Sequence, residues 1–214
     1  MLPVYIINLR KRKDRYKSIQ SQFNNQKNFY LIYQKVNLSK KSNVALWNNI
    51  KRCIKEAKNS RYEFIIICED DHIFTRHYDW NFLINSINKS KLLKADLLSG
   101  GVSWFKHAIQ IEENLFWIDK FNGCQFLVIY KDAYDKILNA TFLDSDFADY
   151  KLSEILDRKF LIFPFISSQQ EFGYSDVTPK NDGTDRVVDL FNKSLERLDF
   201  MSKIKKNYFN LKRK

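Results

Sequence analysis

A chain of 214 residues with 44% hydrophobic residues is long enough for one domain with a substantial core, and this composition excludes disorder over most of its length. Only five glycines and three prolines are present, which argues against a sandwich or barrel with many tight turns. The net charge of +11 is concentrated toward the two ends, which favours a polyanionic partner such as a nucleic acid, a nucleoside diphosphate or an anionic membrane, or simply a lysine-rich solvated surface.

Apolar runs and helical periodicity alternate from the first residues onward. Strands are predicted at residues 3–9, 29–36, 64–68, 95–99, 115–118, 125–130 and 160–164. Helices are predicted at residues 15–23, 43–57, 80–93, 131–139, 147–158 and from 187 onward, with Ser42 or Asn43 as an N-cap. Strands that alternate with helices predict an α/β protein with a mainly parallel central sheet flanked by helices, and residues 175–186 are predicted to form a long loop.

An acidic triplet, Glu69-Asp70-Asp71, follows the apolar run 64–68. Five apolar residues in a row indicate a strand buried on both faces, and open α/β sheets bind ligands at the carboxyl ends of such strands. Clustered carboxylates are costly to desolvate unless a hard cation such as Mn²⁺ or Mg²⁺ neutralises them together with substrate phosphates. The alternative is a solvated acidic loop.

Two other segments are candidates for contact with a diphosphate. The basic segment from Asn8 to Arg15 follows the first strand, where guanidinium groups and a helix N-terminus can hold phosphates, although a positively charged surface loop would look the same. Gly100-Gly101 follows a short strand, and it either allows a close approach of the backbone to a ligand or marks a plain turn.

Carboxylates also cluster at residues 144–150, where a helix is predicted to begin. One of them could act as a general base that reaches a substrate hydroxyl. Asp144, Ser145 or Asp146 could instead cap the helix, and the two roles can belong to different residues. His72 adjoins the acidic triplet, and we expect it to lie at the surface or to support the site indirectly.

Taken together, these segments resemble glycosyltransferase family 25, which includes bacterial lipooligosaccharide galactosyltransferases and collagen galactosyltransferase domains. The resemblance covers roughly residues 3 to 178 and rests on the order and spacing of the motifs. The matching residues are Ile7-Asn8-Leu9, Arg12, Asp14-Arg15, Glu69-Asp70-Asp71, the segment 123–130, Asp146 or Asp149, Pro164, Gln169, Gln170 and Ser175-Asp176. The family's Gly-Cys-Ala-Leu-Ser-His stretch is replaced here by residues 43–48, of which only Ala45-Leu46 match, so the sugar specificity follows less directly than the reaction type.

The resemblance implies a GT-A type nucleotide-diphospho-sugar transferase fold and the inverting transfer of a hexose, galactose in particular, from a UDP-sugar. The acceptor would be a hydroxyl of a glycan or lipid-linked saccharide, in surface polysaccharide or lipooligosaccharide synthesis. Asp71 and then Glu69 would bind Mn²⁺ or Mg²⁺, because residues two apart in an extended segment point to one side, and Asp70 would face the ribose or a buried partner. The implied donor-binding residues are Asn8, Leu9, Arg12, Arg15, Asp70, Gly100 and Gly101, and the candidate bases are Asp149 and Asp146.

The remaining expectations concern location and organisation. Three widely spaced cysteines, no secretory signal and no apolar window of about 20 residues predict a cytoplasmic protein. Residues 1–200 are predicted to form a single transferase domain, and residues 201–214 a basic tail that contacts the inner face of a membrane.

Two other functions fit parts of the sequence. A nucleotidyltransferase would normally carry a glycine-rich basic loop near its N-terminus, and none is present. A non-enzymatic module that binds nucleic acid or a membrane surface through the basic termini would not need acids at a strand end, so no nucleic-acid partner is expected.

Overall fold

The computed structural model describes residues 1–8, 12–35, 41–173 and 186–209. The strands are β1 (Leu2–Asn8), β2 (Phe29–Lys35), β3 (Phe64–Glu69), β4 (His72–Phe74), β5 (Leu97–Ser99), β6 (Trp104–Phe105), β7 (Ala108–Glu112), β8 (Leu115–Ile118), β9 (Phe121–Asn122), β10 (Phe126–Tyr130), β11 (Lys159–Ile162) and β12 (Ser167–Gln169). The helices are α1 (Lys13–Phe23), α2 (Ser42–Asn59), α3 (Trp80–Leu92), α4 (Tyr134–Asn139), α5 (Ala148–Ile155) and α6 (Arg186–Ile204). A 3₁₀ turn (Lys131–Ala133) precedes α4, and a π-helical turn (Lys205–Phe209) follows α6.

A central sheet joins most of these strands in the order β2-β1-β3-β10-β5-β11-β8-β7. Strands β1, β2 and β3 are mutually parallel, and β11 is parallel to β5. Strand β10 runs antiparallel to both of its neighbours, and β8 does the same between β11 and β7. All strands of this sheet except β8 and β10 therefore run in one direction, which confirms the predicted α/β class. The reversed direction of β10 brings its first residues to the edge where β3 and β5 end.

Both faces of the sheet are covered by helices. Along β3, Ile65 and Ile67 pack into one hydrophobic cluster, while Ile66 and Cys68 pack into another on the opposite face. Helices α2, α4, α5 and α6 contribute to the first cluster, and α1 and α3 contribute to the second. Alternating side chains of a strand point to opposite faces, so the continuous apolar run at 64–68 is explained by burial on both sides.

Several elements differ from the sequence-based expectations. The short strands β4, β6, β7, β9 and β12 were not predicted, and two of the pairs they form, β4 with β12 and β6 with β9, are small antiparallel ribbons. The expected caps were also wrong. Lys41 occupies the N-cap of α2, and Phe147 occupies the N-cap of α5. Asn43 instead donates hydrogen bonds at 2.8 Å to the main-chain oxygens of Asp144 and Asp146, which ties the loop before α5 to α2.

A buried lysine anchors the other end of α5. Lys159 is 4% exposed, and its ammonium donates hydrogen bonds to the main-chain oxygens of Ser153, at 3.0 Å, and Leu156. Burial lowers the pKa of this lysine. The ammonium therefore satisfies carbonyl groups that the end of a helix leaves without partners.

The C-terminal part of the described chain packs against the sheet edge. The side chain of Gln110 on β7 donates to Ser202 Oγ at 3.1 Å, and Lys205 Nζ donates to the main-chain oxygen of Gln110 at 2.8 Å. The expected division at residue 200 stays a prediction, and α6 continues through that position. Among the described helices, none combines the length and apolar character that a membrane span requires.

Candidate active site

The acidic triplet lies where β3 ends at the sheet edge. Glu69 is the last residue of β3, and the chain turns at Asp70 and Asp71 before it enters β4. Because of this turn, the extended geometry expected for residues two apart does not apply here. Parallel pairing of β1 with β3 sets Ile7 opposite Glu69, so the residues that follow β1 begin beside the acids.

Asp70 links the triplet to β1 and α1. Its carboxylate accepts a hydrogen bond from Asn8 Nδ2 at 2.8 Å and another from Arg15 Nη1 at 3.2 Å, and Arg12 Nη1 lies 3.6 Å away. The side chain of Asp70 is 6% exposed, and that of Arg15 is 8% exposed. Asp70 was expected to face either a ribose or a buried partner, and the structure shows buried protein partners. Through these contacts Asp70 holds Arg12 and Arg15 at the edge of the sheet.

Asp71 has a carboxylate that protein contacts satisfy only in part. Oδ2 lies 3.5 Å from Arg15 Nη1, whereas Oδ1 is buried without a hydrogen-bond partner among the described residues. Burial, and next the charge of Asp70, raise the pKa of Asp71 from 3.8 to about 6, although Arg15 opposes this shift. Gln170 N donates to the main-chain oxygen of Asp71 at 2.8 Å, which fixes the backbone of the turn.

Negative charge exceeds positive charge in this region. Burial raises the pKa of Glu69 well above its ordinary value, and the carboxylates of Asp71, Asp70 and Asp149 raise it further. Among the described residues, with every group ionised, four carboxylates face the two guanidinium groups of Arg12 and Arg15, which leaves an excess of two negative charges in that part of the chain. An excess of this size and an unsatisfied carboxylate oxygen fit a divalent cation.

No compact ligand set accompanies this excess. Within the described ranges, no group of three or more His, Cys, Asp or Glu side chains is arranged to hold a metal ion. The role of Asp71 and Glu69 as metal ligands stays a prediction. Their carboxylate oxygens have the chemistry that suits Mn²⁺ or Mg²⁺.

Asp149 reaches the same edge from α5. Oδ2 accepts a hydrogen bond from Gly123 N at 3.1 Å, and Oδ1 accepts one from Tyr150 N at 2.9 Å. Burial raises the pKa of Asp149 above its ordinary value. Gly123 has a φ of +128°, and an added Cβ would lie 2.7 Å from Gln125 Oε1, so this position favours glycine. The carboxyl group is thus held by the backbone just before β10.

Asp146 has a different environment. Its Oδ2 accepts a hydrogen bond from Leu143 N at 2.9 Å and lies 3.2 Å from Lys151 Nζ. The bond from Leu143 and the nearby lysine lower the pKa of Asp146. Of the two candidate bases, Asp149 is therefore the one whose surroundings favour uptake of a proton.

Gly100 and Gly101 are packed against the segment 165–167. The main-chain oxygen of Gly100 accepts hydrogen bonds from Ile166 N at 2.9 Å and Ser167 N at 3.1 Å. A Cβ on Gly101 would lie 2.2 Å from the oxygen of Ser167. This backbone contact explains why position 101 requires glycine. Contact of Gly100 and Gly101 with a sugar-nucleotide donor stays a prediction. Leu9 and the pair Ser175-Asp176 lie outside the described residues.

Sequence reasoning missed several residues around the acids. Gln125 is fully buried and donates from Nε2 to the oxygen of Gly101 at 2.7 Å, and the Phe172 ring lies 4.9 Å from the Arg15 guanidinium carbon. Of the two expectations for His72, the surface position was wrong, and indirect support of the site stays a prediction. His72 is fully buried, its Nδ1 is 2.8 Å from Ser167 Oγ, and burial lowers its pKa to about 3, so it is neutral. A polar residue beside a turn gives no local signal for such burial.

Neither a protein-family model nor a curated protein matches the sequence. Solved structures do match. A glycosyltransferase involved in glycosylation of the major capsid of PBCV-1 aligns with a TM-score of 0.54 at 10% identity, over 85% of this chain and 96% of that chain. UDP-glucose pyrophosphorylase complexed with UDP-glucose aligns with a TM-score of 0.49 at 9% identity, over 92% of this chain and 81% of that chain. HddC from Yersinia pseudotuberculosis aligns with a TM-score of 0.46 at 11% identity, over 92% of this chain and 100% of that chain. The match to the capsid glycosyltransferase spans most of both chains, and this chain therefore has a GT-A type nucleotide-diphospho-sugar transferase fold.

Proposed function

We propose that the protein is an inverting glycosyltransferase that moves a hexose, galactose in particular, from a UDP-sugar to a hydroxyl of a glycan or lipid-linked saccharide. Its pathway would be surface polysaccharide or lipooligosaccharide synthesis in the cytoplasm. The observation that carries this proposal is the convergence of three acids, two arginines and Asp149 at the carboxyl edge of β1 and β3 in a GT-A type fold. Ligands of open α/β sheets bind at this edge.

Arg12 and Arg15 are the groups that would bind the donor diphosphate. A guanidinium presents N–H donors in a planar fork that matches phosphate oxygens, and Asp70 holds that of Arg15 at the sheet edge through Nη1. Both residues lie at the first turn of α1, where the helix dipole favours an anion. Asn8 helps by fixing Asp70, which in turn orients the arginines.

Asp71 and Glu69 would hold a Mn²⁺ or Mg²⁺ ion. Asp71 Oδ1 has no hydrogen bond within the described chain, and burial, followed by the neighbouring carboxylates, raises the pKa of both side chains. When bound, such an ion offsets the negative charge that develops on the departing diphosphate.

Asp149 is the preferred general base, and Asp146 is the second candidate. Two main-chain N–H groups hold the Asp149 carboxylate in place, while burial raises its pKa and so improves its ability to accept a proton from an acceptor hydroxyl. The lowered pKa of Asp146 makes that residue a weaker base.

Donor binding can be tested before the acceptor is known. With UDP and Mn²⁺ at about 100 times their dissociation constants, we expect a gain of about 2.7 kcal/mol, which raises the melting temperature by about 5–10 °C. Asp71→Asn should abolish the shift, and the control Asp157→Asn, at a side chain that is 89% exposed, should retain it. An equal shift in Asp71→Asn, or none in the parent protein, contradicts the assignment. Metal-independent binding of RNA would favour the non-enzymatic alternative.

The base is tested by UDP release from UDP-galactose in the presence of a panel of saccharide acceptors. Asp149→Asn should lower turnover by at least about 100-fold and leave the melting shift with UDP and Mn²⁺ intact, because general base catalysis typically contributes that much. Asp146→Asn is the matched control and should stay within about fivefold of the parent. A larger loss in Asp146→Asn than in Asp149→Asn would reverse the assignment.

A further inference from the structure

The last turns of α6 and the π-helical turn that follows them expose three large apolar side chains. Phe200 is 64% exposed, Ile204 is 38% exposed, and Tyr208 in the following π-helical turn is 68% exposed. They recur at intervals of four residues, which places them along one side of the helix. We call Phe200, Ile204 and Tyr208 the α6 stripe.

The α6 stripe is not the side of α6 that packs on the domain. Phe191 and Leu198 are buried in the hydrophobic core, and Ser194 donates to the main-chain oxygen of Ser103 at 2.9 Å. Phe200 follows Leu198 by two residues, a rotation of about 200° around the helix. The helix is thus held on the domain by one side, and it presents the stripe to solvent on another.

Basic residues accompany the α6 stripe. Lys203, Lys205 and Lys206 lie within it or next to it, and residues 203–214 contain six Lys or Arg and no Asp or Glu. Lys203, whose side chain is 69% exposed, pairs with Asp199 at 2.6 Å, whereas Lys205 donates to the main-chain oxygen of Gln110 and is therefore directed at the domain. Aromatic and aliphatic side chains bordered by cations are the composition of helices that lie at the boundary between lipid headgroups and acyl chains.

We propose that the α6 stripe and its lysines form a docking surface for an anionic lipid bilayer. Phe200, Ile204 and Tyr208 enter the boundary region, while Lys206 contacts acidic headgroups and Lys203 exchanges its ion pair with Asp199 for such a contact. A nucleic acid fits less well, because Ile204 has no π face on which a base can stack. The inference is independent of the sugar-transfer assignment, since it uses none of the residues at the carboxyl edge of the sheet.

Co-sedimentation of the full chain with lipid vesicles tests this surface. We expect binding to vesicles of phosphatidylglycerol and phosphatidylcholine, little binding to phosphatidylcholine alone, and release at high salt. Phe200→Ser should lower the partition coefficient about tenfold, because transfer of a phenyl ring out of water is worth at least that ratio. Leu92→Ser, at an exposed leucine (84%) that ends α3, is the matched control and should bind like the parent.

The charge contribution has its own pair of variants. Lys206→Gln should weaken binding to anionic vesicles severalfold, and Lys89→Gln on α3 should not. Absence of binding to anionic vesicles overturns the proposal, and so does an equal loss in Phe200→Ser and Leu92→Ser. Binding to a single-stranded RNA oligonucleotide in place of vesicles also overturns it. None of these three results bears on donor binding, which the melting shift with UDP and Mn²⁺ measures separately.

Discussion

Replacement of Asp70 by Asn should destabilise the fold strongly while it preserves the shape of the side chain. Asp70 is 6% exposed and pairs with Arg15, which is 8% exposed, at 3.2 Å. Removal of one partner from a buried ion pair costs about 3–5 kcal/mol, because the other charge stays desolvated. Asp71 lies 3.5 Å from the same Arg15 nitrogen and continues to compensate it, so we expect the lower end, about 3 kcal/mol.

For a chain of 214 residues, that loss corresponds to a fall in melting temperature of about 6–12 °C. Urea unfolding followed by tryptophan fluorescence measures it, and a double-mutant cycle with Arg15→Met isolates the pairwise term. Asp157→Asn, whose carboxylate is 89% exposed, is the control and should stay within about 0.5 kcal/mol of the parent. If Asp70→Asn changed the free energy of unfolding no more than the control does, the pair would contribute nothing to stability. Strict additivity of the Asp70→Asn and Arg15→Met effects would show the same.

Three further outcomes are expected. Burial and Asp70 raise the pKa of Asp71 from 3.8 to about 6, so its ionisation costs stability as the pH rises through that value. In chelator at about pH 8, Asp71→Asn should therefore be up to about 3 kcal/mol more stable than the parent in urea unfolding. A difference in unfolding free energy between the two proteins that stayed constant down to about pH 4 would contradict this. Gly101→Ala sets a Cβ 2.2 Å from the Ser167 oxygen and should cost more than about 3 kcal/mol in thermal unfolding, whereas Gly173→Ala, with no atom within 4 Å but a φ of +73°, should cost only about 1–2 kcal/mol. Lys159→Met leaves two carbonyl groups without a hydrogen-bond donor and should lower the free energy of unfolding by about 2 kcal/mol in thermal unfolding. An unchanged melting temperature would refute this.

The long elements were predictable because their signals are local. Strand β3 was predicted within one residue of its observed end, since five successive apolar residues can be buried only where both faces of a sheet are covered. The helical spacing of residues 43–57 likewise predicted α2, which spans Ser42–Asn59. The triplet Glu69-Asp70-Asp71 lies at the end of β3, and its acidic composition after an apolar run predicted this edge of the sheet as the candidate site.

Contacts between distant parts of the chain could not be read in the same way. That Asp70 holds Arg15, that Asp149 approaches Glu69, and that His72 is buried against Ser167 all depend on how separate elements pack. Strands of two or three residues, such as β4 and β12, carry too few side chains for a periodic pattern and form only because a partner strand is beside them.

The amino-acid order thus specified the α/β class, the main helices and strands, and the acids at the end of β3, because periodicity and apolar runs act within one segment. The three-dimensional packing decided which carboxylates share charge with Arg12 and Arg15, and which aspartate has its pKa raised by burial. Burial and electrostatic coupling depend on the neighbours that folding supplies, and those neighbours come from other elements of the chain.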